Sequence, residues 1–413
     1  MASASLPRAL LLCLLAFTLA GAATASPAVS SVDKPALDSF LQQSLRDSHI
    51  PGMVAMIVGK DRILYSGAFG RADVAAQRPM QMDSIFRIAS MTKPVTSLAV
   101  MMLIEEGRVG LEDPVGKYLP EYAGRPVLDT FYPLDRSYTT RPAAREISIR
   151  HLLTHTSGLG YTFSSLTLSQ LQGTDPTKFV AAPPLLYDPG TQWSYGESTR
   201  VLGLLVEKVT GRSLADVLRE RIFEPLGMND TSYVVPAAKH DRVVTIHRWA
   251  GQGLVEAPNP AGEISAPVQG DGGLHSTAAD YAKFMQLILN EGRTADGRRL
   301  VRAGTVKQMT RNHTGTVRVR LQEAAIPALS AVFPLGAGRD SYGLGFQVTG
   351  TPAVPGMRSP GSLSWAGIFN TEFWIDPARG VGGILLMQYL PFYDRQAIEA
   401  LQGFEQRVYQ PAH

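Results

Sequence analysis

The sequence is almost free of cysteine. Cys13, close to the N-terminus, is the single cysteine among the 413 residues. If the N-terminal segment is removed, as its pattern indicates below, the mature chain contains no thiol. It then has no side chain that can form a disulfide, bind a metal as a thiolate or act as a cysteine nucleophile.

The sequence also lacks an apolar run that is long enough to cross a membrane. The apolar stretch 9–20 has about a dozen residues, whereas a transmembrane helix needs about 20. Arg8 precedes this stretch, and Ala23-Thr24-Ala25 follows it. A positive start, a short apolar run and an Ala-x-Ala end are typical of a secretory signal peptide. We therefore predict that residues 1–25 are a signal peptide and that 26–413 are exported to a bacterial periplasm or medium, without stable insertion into a membrane.

A strong excess of charge of one sign is missing as well. The sequence has 39 Lys and Arg and 36 Asp and Glu, which gives a formal net charge of +3. This balance argues against a protein that coats nucleic acid, so no nucleic-acid partner is predicted. The most basic stretch, 293–320, is interrupted by polar and apolar residues, and we interpret it as solvated surface.

Several common catalytic motifs are absent from the sequence. It contains no Gly-x-Ser-x-Gly, no phosphate-binding Gly-x-x-x-x-Gly-Lys and no Gly-x-Gly-x-x-Gly. His151 and His155 are four residues apart, but Leu152 occupies the position where a zinc peptidase has its glutamate. We interpret both histidines as structural, and the sequence predicts neither a metal nor an organic cofactor.

Strand patterns lie near both ends of the chain, and helical patterns lie between them. An α/β (α+β) fold follows, in which the two chain ends build one antiparallel sheet flanked by helices, with a mainly helical domain inserted. The sheet part is assigned to about 33–95 and 340–413 and the helical part to about 96–339, with a ligand groove between them. The predicted strands are Met53–Val58, Arg62–Phe69, Tyr342–Val348, Phe369–Asp376 and Gly383–Gln388, and the clearest helices are Pro35–Ser48, Ser90–Glu106, Leu202–Val209, Ala278–Leu289 and Arg395–Val408.

Ser90 and Lys93 are the strongest candidates for chemistry. They stand three residues apart at the start of a predicted helix, so the lysine amine can reach the serine hydroxyl. Serine is a poor nucleophile unless a neighbouring base accepts its proton, and burial favours the neutral amine that such a base requires. The spacing alone is a weak signal, since Ser31 and Lys34 share it.

The sequence around Ser90 resembles the nucleophile segment of the serine β-lactamase and penicillin-binding-protein superfamily. Further segments along the chain resemble its class C-like branch, and the ending Leu385–Pro391 is similar to family VIII carboxylesterases. Together these segments are far more specific than any one of them. They are Phe86–Thr96, Leu152–Leu159, Leu202–Glu207, Thr210-Gly211, Pro225–Met228 and Gly272–Thr277.

The resemblance implies roles for further residues. Tyr195 would join Lys93 in activating Ser90, and which of the two accepts the serine proton stays open. The stretch Ser364–Ile368 takes the place of the strand that lines the site in this superfamily. The backbone N–H groups of Ser90 and Ile368 would then form the oxyanion hole.

Two departures from the family pattern concern the substrate. Trp365 stands where β-lactamases and cell-wall peptidases have a cationic or polar residue that holds a substrate carboxylate. Glu197 replaces the expected Asn, unless a slip of one residue places Ser198 there. A carboxylate accepts hydrogen bonds only and repels an anionic substrate, so both departures favour a neutral ester.

The resemblance and these departures predict a serine hydrolase that cleaves short-chain carboxylic esters through an acyl-enzyme on Ser90. The expected partner is a small-molecule ester, held by Trp365, Ala366, Gly367 and Glu197. Tyr161, Phe163 and the loop 325–335 are candidates for an apolar acyl pocket. A β-lactamase or D-alanyl-D-alanine carboxypeptidase, an acyltransferase and a non-catalytic binder remain as alternatives, and the oligomeric state stays open.

Overall fold

A computed structural model describes residues 27–173, 180–257 and 268–410 of the chain. The predicted signal peptide, residues 1–25, lies outside the described residues. Across the described ranges, no helix combines the length and the hydropathy that a membrane span needs.

The strands form one large sheet and three small ones. The large sheet has eight strands in the order β10-β11-β12-β13-β14-β1-β2-β3, and all neighbouring pairs are antiparallel. The described strands are Gly52–Gly59 (β1), Ile63–Asp73 (β2), Arg78–Pro79 (β3), Phe86–Arg87 (β4), Val127–Tyr132 (β5), Ser137–Arg141 (β6), His247–Trp249 (β7), Leu254–Glu256 (β8), His275–Ser276 (β9), Ser341–Tyr342 (β10), Gln347–Val348 (β11), Leu363–Gly367 (β12), Thr371–Asp376 (β13), Val381–Leu386 (β14) and Tyr389–Leu390 (β15).

The order of the strands confirms the predicted fold class. Because β1 lies directly beside β14, the two ends of the chain meet in the middle of the sheet. Most helices come from the sequence between β3 and β10. The described helices are Lys34–Arg46 (α1), Thr92–Glu105 (α2), Ile149–Leu153 (α3), Leu166–Gln172 (α4), Ser198–Thr210 (α5), Leu214–Leu218 (α6), Glu224–Leu226 (α7), Ala278–Leu289 (α8), Ala303–Met309 (α9) and Arg395–Tyr409 (α10).

Helices cover both faces of the large sheet. On one face, Leu41 of α1 and Phe404 of α10 pack with Trp374 of β13 in one apolar cluster. On the other face, Met285 of α8 and Val95 of α2 belong to a larger cluster that extends into the helical part of the chain. Burial of each such side chain contributes about 1.5–3 kcal/mol to the stability of the fold. These contacts hold α2 in a fixed position against the large sheet.

Local sequence signals explain where the helices begin and end. Asp33 accepts a hydrogen bond from the Ala36 N–H at 3.0 Å and caps α1. Thr277 caps α8 in the same way, and the predicted helix Ala278–Leu289 is confirmed residue for residue. The helix α5 ends at Gly211, which adopts the left-handed conformation that favours glycine.

The predicted strands Arg62–Phe69 and Gly383–Gln388 are observed with shifted ends, as Ile63–Asp73 and Val381–Leu386. Two other predicted strands differ from the structure by a turn. The segment Tyr342–Val348 is a hairpin of β10 and β11, because Gly345 has φ +105 and the Gly343 N–H bonds the Phe346 carbonyl at 2.8 Å. The strand predicted from Phe369 begins only at Thr371, because the chain turns at Asn370 between β12 and β13. Apolar composition alone does not show such turns.

Candidate active site

Ser90 lies on a tight turn between the strand β4 and the helix α2. The strand β4 pairs with β9, which fixes the chain on the N-terminal side of the turn. Ala89 then adopts φ +45, a conformation that costs a non-glycine residue about 1–2 kcal/mol. The rigid neighbours on both sides hold this strained turn, and it presents Ser90 to a cavity beside the sheet.

Lys93 lies in the first turn of α2 and is almost fully buried, with 1% of its surface exposed. Its Nζ atom donates hydrogen bonds to the Ser90 Oγ at 3.0 Å and to the Asp271 backbone oxygen at 2.7 Å. The predicted proximity of Lys93 and Ser90 is therefore present in the structure. The second bond fixes the amine in its place beside the nucleophile.

Tyr195 completes the group around the serine hydroxyl. Its own hydroxyl donates a hydrogen bond to the Ser90 Oγ at 2.6 Å, and its ring centre lies 4.6 Å from the Lys93 Nζ. Aromatic neighbours hold the Tyr195 ring, with centroid distances of 5.0 Å to Trp365, 5.1 Å to Tyr161 and 5.3 Å to His155. The structure thus brings together the three residues predicted as catalytic, although they are far apart in sequence.

The surroundings change the pKa values of the lysine and the tyrosine in opposite directions. Burial lowers the pKa of Lys93 to about 7, because desolvation penalises the ammonium form. Burial raises the pKa of Tyr195 above its usual value of about 10, because the phenolate is penalised in the same way. Near neutral pH a large fraction of Lys93 is an unprotonated amine, whereas Tyr195 keeps its proton.

A buried charged cluster beside Lys93 was missed by the sequence analysis. The Asp271 carboxylate accepts a hydrogen bond from the Tyr161 hydroxyl and lies 3.4 Å from the Arg200 Nε. Asp271 raises the pKa of Lys93, and Arg200 lowers it. The sequence did not indicate that Asp271 lies beside Lys93, because the two residues are nearly 180 positions apart and no motif includes Asp271. Asp271 and Arg200 are positioning residues that set the charge of the amine.

This cluster predicts two opposite shifts in the pH dependence of the enzyme. The ascending limb of kcat/KM is expected near pH 7, because it reports the free enzyme's essential base. In Asp271→Asn the loss of the carboxylate lowers the pKa of Lys93, and the limb moves down by about one pH unit. In Arg200→Gln the limb moves up.

The measurement is the pH profile of kcat/KM for p-nitrophenyl butyrate in all three proteins. Each variant serves as the control for the other. A general disruption of the site would lower the rate of both variants but would not shift their ascending limbs in opposite directions. Limbs that coincide in all three proteins would contradict the assignment of the limb to Lys93.

The strand β12 forms one wall of the site. Gly367 packs so closely against the turn before Ser90 that a Cβ atom there would lie 2.4 Å from the Ile88 oxygen. The absence of a side chain therefore allows the strand and the nucleophile turn to touch. Trp365, Ala366 and Ile368 line the same cavity as Ser90. The predicted oxyanion hole of the Ser90 and Ile368 N–H groups stays a prediction, and both residues line the cavity.

Glu197 lies apart from the other predicted substrate-binding residues. Its carboxylate is 2.9 Å from the Arg200 Nη1, and about two fifths of its side chain is exposed. Among the described residues it is not part of the cavity wall around Ser90. Ser198, the alternative position, is buried and shares a hydrogen bond with Ser157 at 2.8 Å. A contact of Glu197 with substrate stays a prediction.

A cavity of about 200 Å³ extends inwards from Ser90. Phe163 and the segment 333–335 supply apolar walls, in the region predicted as the acyl pocket. Tyr161 has a different place, because its hydroxyl bonds the Asp271 carboxylate and its ring lies 5.3 Å from the Lys93 Nζ. In the described parts of the chain, no three His, Cys, Asp or Glu side chains are grouped as metal ligands would be.

Comparison with known proteins agrees with this arrangement. The sequence profile of the Beta-lactamase family matches residues 37–405 of the chain. The chain belongs to the β-lactamase family. The family match, the fold and the relatives below identify it as a serine hydrolase of the β-lactamase and penicillin-binding-protein type.

Relatives of this β-lactamase family protein include enzymes that act on acyl groups. Esterase EstB of Burkholderia gladioli is 30% identical, over 88% of this chain and 94% of its own. Monacolin J acid methylbutanoyltransferase of Aspergillus terreus is 29% identical, over 90% and 95%. Among solved structures, the LovD6 mutant of simvastatin synthase from Aspergillus terreus has a TM-score of 0.76 at 26% identity and covers 90% of this chain and 93% of that one.

Proposed function

We propose that this protein hydrolyses short-chain carboxylic esters through an acyl-enzyme on Ser90. The observation that carries the proposal is the position of the Ser90 Oγ, which accepts hydrogen bonds from Lys93 at 3.0 Å and from Tyr195 at 2.6 Å at the mouth of a cavity. A serine next to a neutral amine is an activated nucleophile, and the cavity is where an acyl group can lie.

The charges in the cavity support a neutral substrate. Both arginines that line it are already paired with carboxylates, Arg339 with Asp340 at 2.8 Å and Arg358 with Glu405 through two hydrogen bonds. Trp365 adds an indole and no charge to the wall. A substrate carboxylate would lose its hydration and would find both cations engaged, so a neutral ester is bound in preference.

In the proposed acylation step, Ser90 attacks the ester carbonyl. The Lys93 amine accepts the serine proton, in agreement with its pKa of about 7. The oxyanion that forms is held by the N–H groups of Ser90 and Ile368. As the C–O bond of the ester breaks, the alkoxide takes the proton of the Tyr195 hydroxyl, and Tyr195 is reprotonated from the Lys93 ammonium.

Deacylation uses the same groups in the reverse direction. Water attacks the acyl carbonyl and gives a proton to the Tyr195–Lys93 pair. The Ser90 oxygen then leaves and recovers a proton from that pair, and the carboxylic acid is released. The cycle returns both residues to their starting protonation states and consumes one water molecule.

Acyl transfer to an alcohol is the second candidate activity. It is favoured by the similarity to a methylbutanoyltransferase over 90% of this chain. The same acyl-enzyme would then be attacked by an alcohol rather than by water. The similarity to Esterase EstB, at 30% identity, favours hydrolysis.

We further propose that residues 1–25 export the enzyme and that it acts in the periplasm or outside the cell.

The test compares p-nitrophenyl butyrate with nitrocefin, whose β-lactam carries a carboxylate. We expect kcat/KM to be about 100-fold higher for the ester, because a carboxylate without a free cation forgoes a charged hydrogen bond of about 1.5–3 kcal/mol. The rate that disappears in Ser90→Ala defines the enzymatic part for both substrates.

Nitrocefin turnover equal to ester turnover would contradict the proposal and favour a β-lactamase. An added short-chain alcohol separates the remaining two candidates. If most of the butyryl group appears as the new ester rather than as butyrate, the enzyme is an acyltransferase.

A further inference from the structure

The wall of the Ser90 cavity contains a buried carboxyl group with an oxygen that has no hydrogen-bond partner among the described residues. Glu372 on β13 lies opposite Ala366 of β12 and lines the cavity together with Ser90. Only 5% of Glu372 is exposed, and its Oε1 atom has no hydrogen-bond partner among the described residues. Glu372 thus combines an unpaired carboxyl oxygen with a place in the wall of the cavity.

Such a group is expensive to keep in a folded protein. A buried polar atom without a partner costs about 1–3 kcal/mol, and native structures contain few of them. A strand residue at this position needs no charge for packing, since its neighbours Phe373 and Trp374 are apolar and buried. The cost of Glu372 indicates that a ligand supplies the missing hydrogen bond.

The neighbouring charges show which form of Glu372 a ligand meets. Burial raises the pKa of Glu372 well above its usual range, while Arg358 nearby acts in the opposite direction. Arg358 is itself engaged by Glu405, with its Nε atom 2.8 Å from the Glu405 Oε1. Asp340, which lines the same cavity, is paired with Arg339 and accepts a hydrogen bond from Gln347 at 2.7 Å. The raised pKa favours the neutral form of Glu372, which can donate one hydrogen bond and accept another.

We propose that Glu372 forms a subsite for a hydroxyl group carried by the acyl chain of the substrate. A hydroxyl both accepts the carboxyl proton and donates to the carbonyl oxygen, so it satisfies both atoms of the group. This inference rests on the proposed esterase function and names its substrate class as esters of ω-hydroxy acids with about six carbons.

The position of the subsite assigns it to the acyl group. The acyl group stays bonded to Ser90 while the alcohol departs and water enters, so an inward pocket suits the part that remains. Along the strand, Ala366 lies about 7 Å from Ile368, and Glu372 is its partner on the next strand. An extended hexanoyl chain that starts beside Ile368 has about the reach needed to place a terminal hydroxyl at Glu372.

The experiment compares p-nitrophenyl hexanoate with p-nitrophenyl ω-hydroxyhexanoate and the ω-amino analogue. In the wild-type enzyme we expect kcat/KM to be about tenfold higher for the hydroxy ester than for the plain ester, as one well-placed hydrogen bond allows. Glu372→Met keeps the length of the side chain and removes the polar group, so the preference is lost. Glu372→Gln keeps a donor and an acceptor, so the preference persists.

Thr349→Val is the matched control, because Thr349 lines the same cavity and valine has its shape. This variant is expected to keep the preference for the hydroxy ester. Equal hydroxy-to-plain ratios in wild type and Glu372→Met would overturn the subsite while Ser90-dependent hydrolysis still upheld the esterase. A higher kcat/KM for the ω-amino ester than for the ω-hydroxy ester would overturn the hydroxyl subsite, because it would show that Glu372 is ionised. No Ser90-dependent cleavage of any of these esters would overturn the proposed function and the subsite together.

Discussion

Replacing Ser90 with alanine is expected to lower kcat for p-nitrophenyl butyrate by at least about 10⁴-fold. The Ser90 Oγ is the atom on which both Lys93 and Tyr195 converge, at 3.0 Å and 2.6 Å. Without it no acyl-enzyme forms, and only binding and oxyanion stabilisation can assist a direct attack by water. Steady-state hydrolysis, with the initial burst of nitrophenol, measures the loss.

Ser31→Ala is the matched control for this prediction. Ser31 and Lys34 have the same spacing as Ser90 and Lys93, but Ser31 is exposed ahead of the helix α1. The control is expected to retain full activity and the burst. A fluorophosphonate should label the Ser90 peptide in the wild type and in Ser31→Ala but not in Ser90→Ala. Hydrolysis that survives in Ser90→Ala would refute the mechanism.

Replacing Lys93 with methionine is expected to lower kcat/KM by about 10³- to 10⁴-fold. Methionine fills a similar volume in the core but cannot accept the Ser90 proton. Tyr195 cannot take over this role, since burial raises its pKa and keeps the phenol protonated. The pH dependence of the residual kcat/KM is part of the test. Its ascending limb near pH 7 should disappear, because the amine that titrates there is gone.

The same variant is expected to be more stable than the wild type at pH 7. The pKa of Lys93 is lowered from 10.5 to about 7 in the folded state, so between these values the unfolded chain binds more protons. By linkage, the buried lysine lowers the free energy of unfolding at pH 7. This loss shrinks as the pH rises from 7 to 10.5 and is gone only above 10.5. Methionine removes this cost of a few kcal/mol, of which the lost bonds to Ser90 and Asp271 offset about 1 kcal/mol each.

Thermal unfolding of both proteins at pH 7 and pH 9 measures this effect. Lys93→Met should melt at the higher temperature at pH 7, with a smaller advantage at pH 9. Arginine at the same position is the control, since it keeps a cation that burial cannot neutralise and is expected to melt below the wild type. A methionine variant that is less stable and inactive would indicate that Lys93 holds the site together rather than serving as its base.

The sequence by itself determined most of the elements and named Ser90 as the candidate nucleophile. Periodicity placed α8 residue for residue, because Thr277 provides a cap and one face is continuously apolar. Strand patterns at both chain ends indicated one antiparallel sheet built from the two termini, which the pairing of β1 with β14 confirms. Ser90 and Lys93 were named from their spacing and its context, and Tyr195 from the family resemblance, and the structure brings all three together.

Only the tertiary structure decided which charges surround that chemistry. Asp271 and Arg200 reach Lys93 through a loop and a helix far away in the sequence, and Glu197 turns towards Arg200 rather than to the cavity wall. The exposed or buried state of a carboxyl group depends on everything packed around it. For this reason the lowered pKa of Lys93 and the unsatisfied carboxyl of Glu372 carried no signal in the sequence. Desolvation is a property of the folded volume, and no local pattern of residues encodes it.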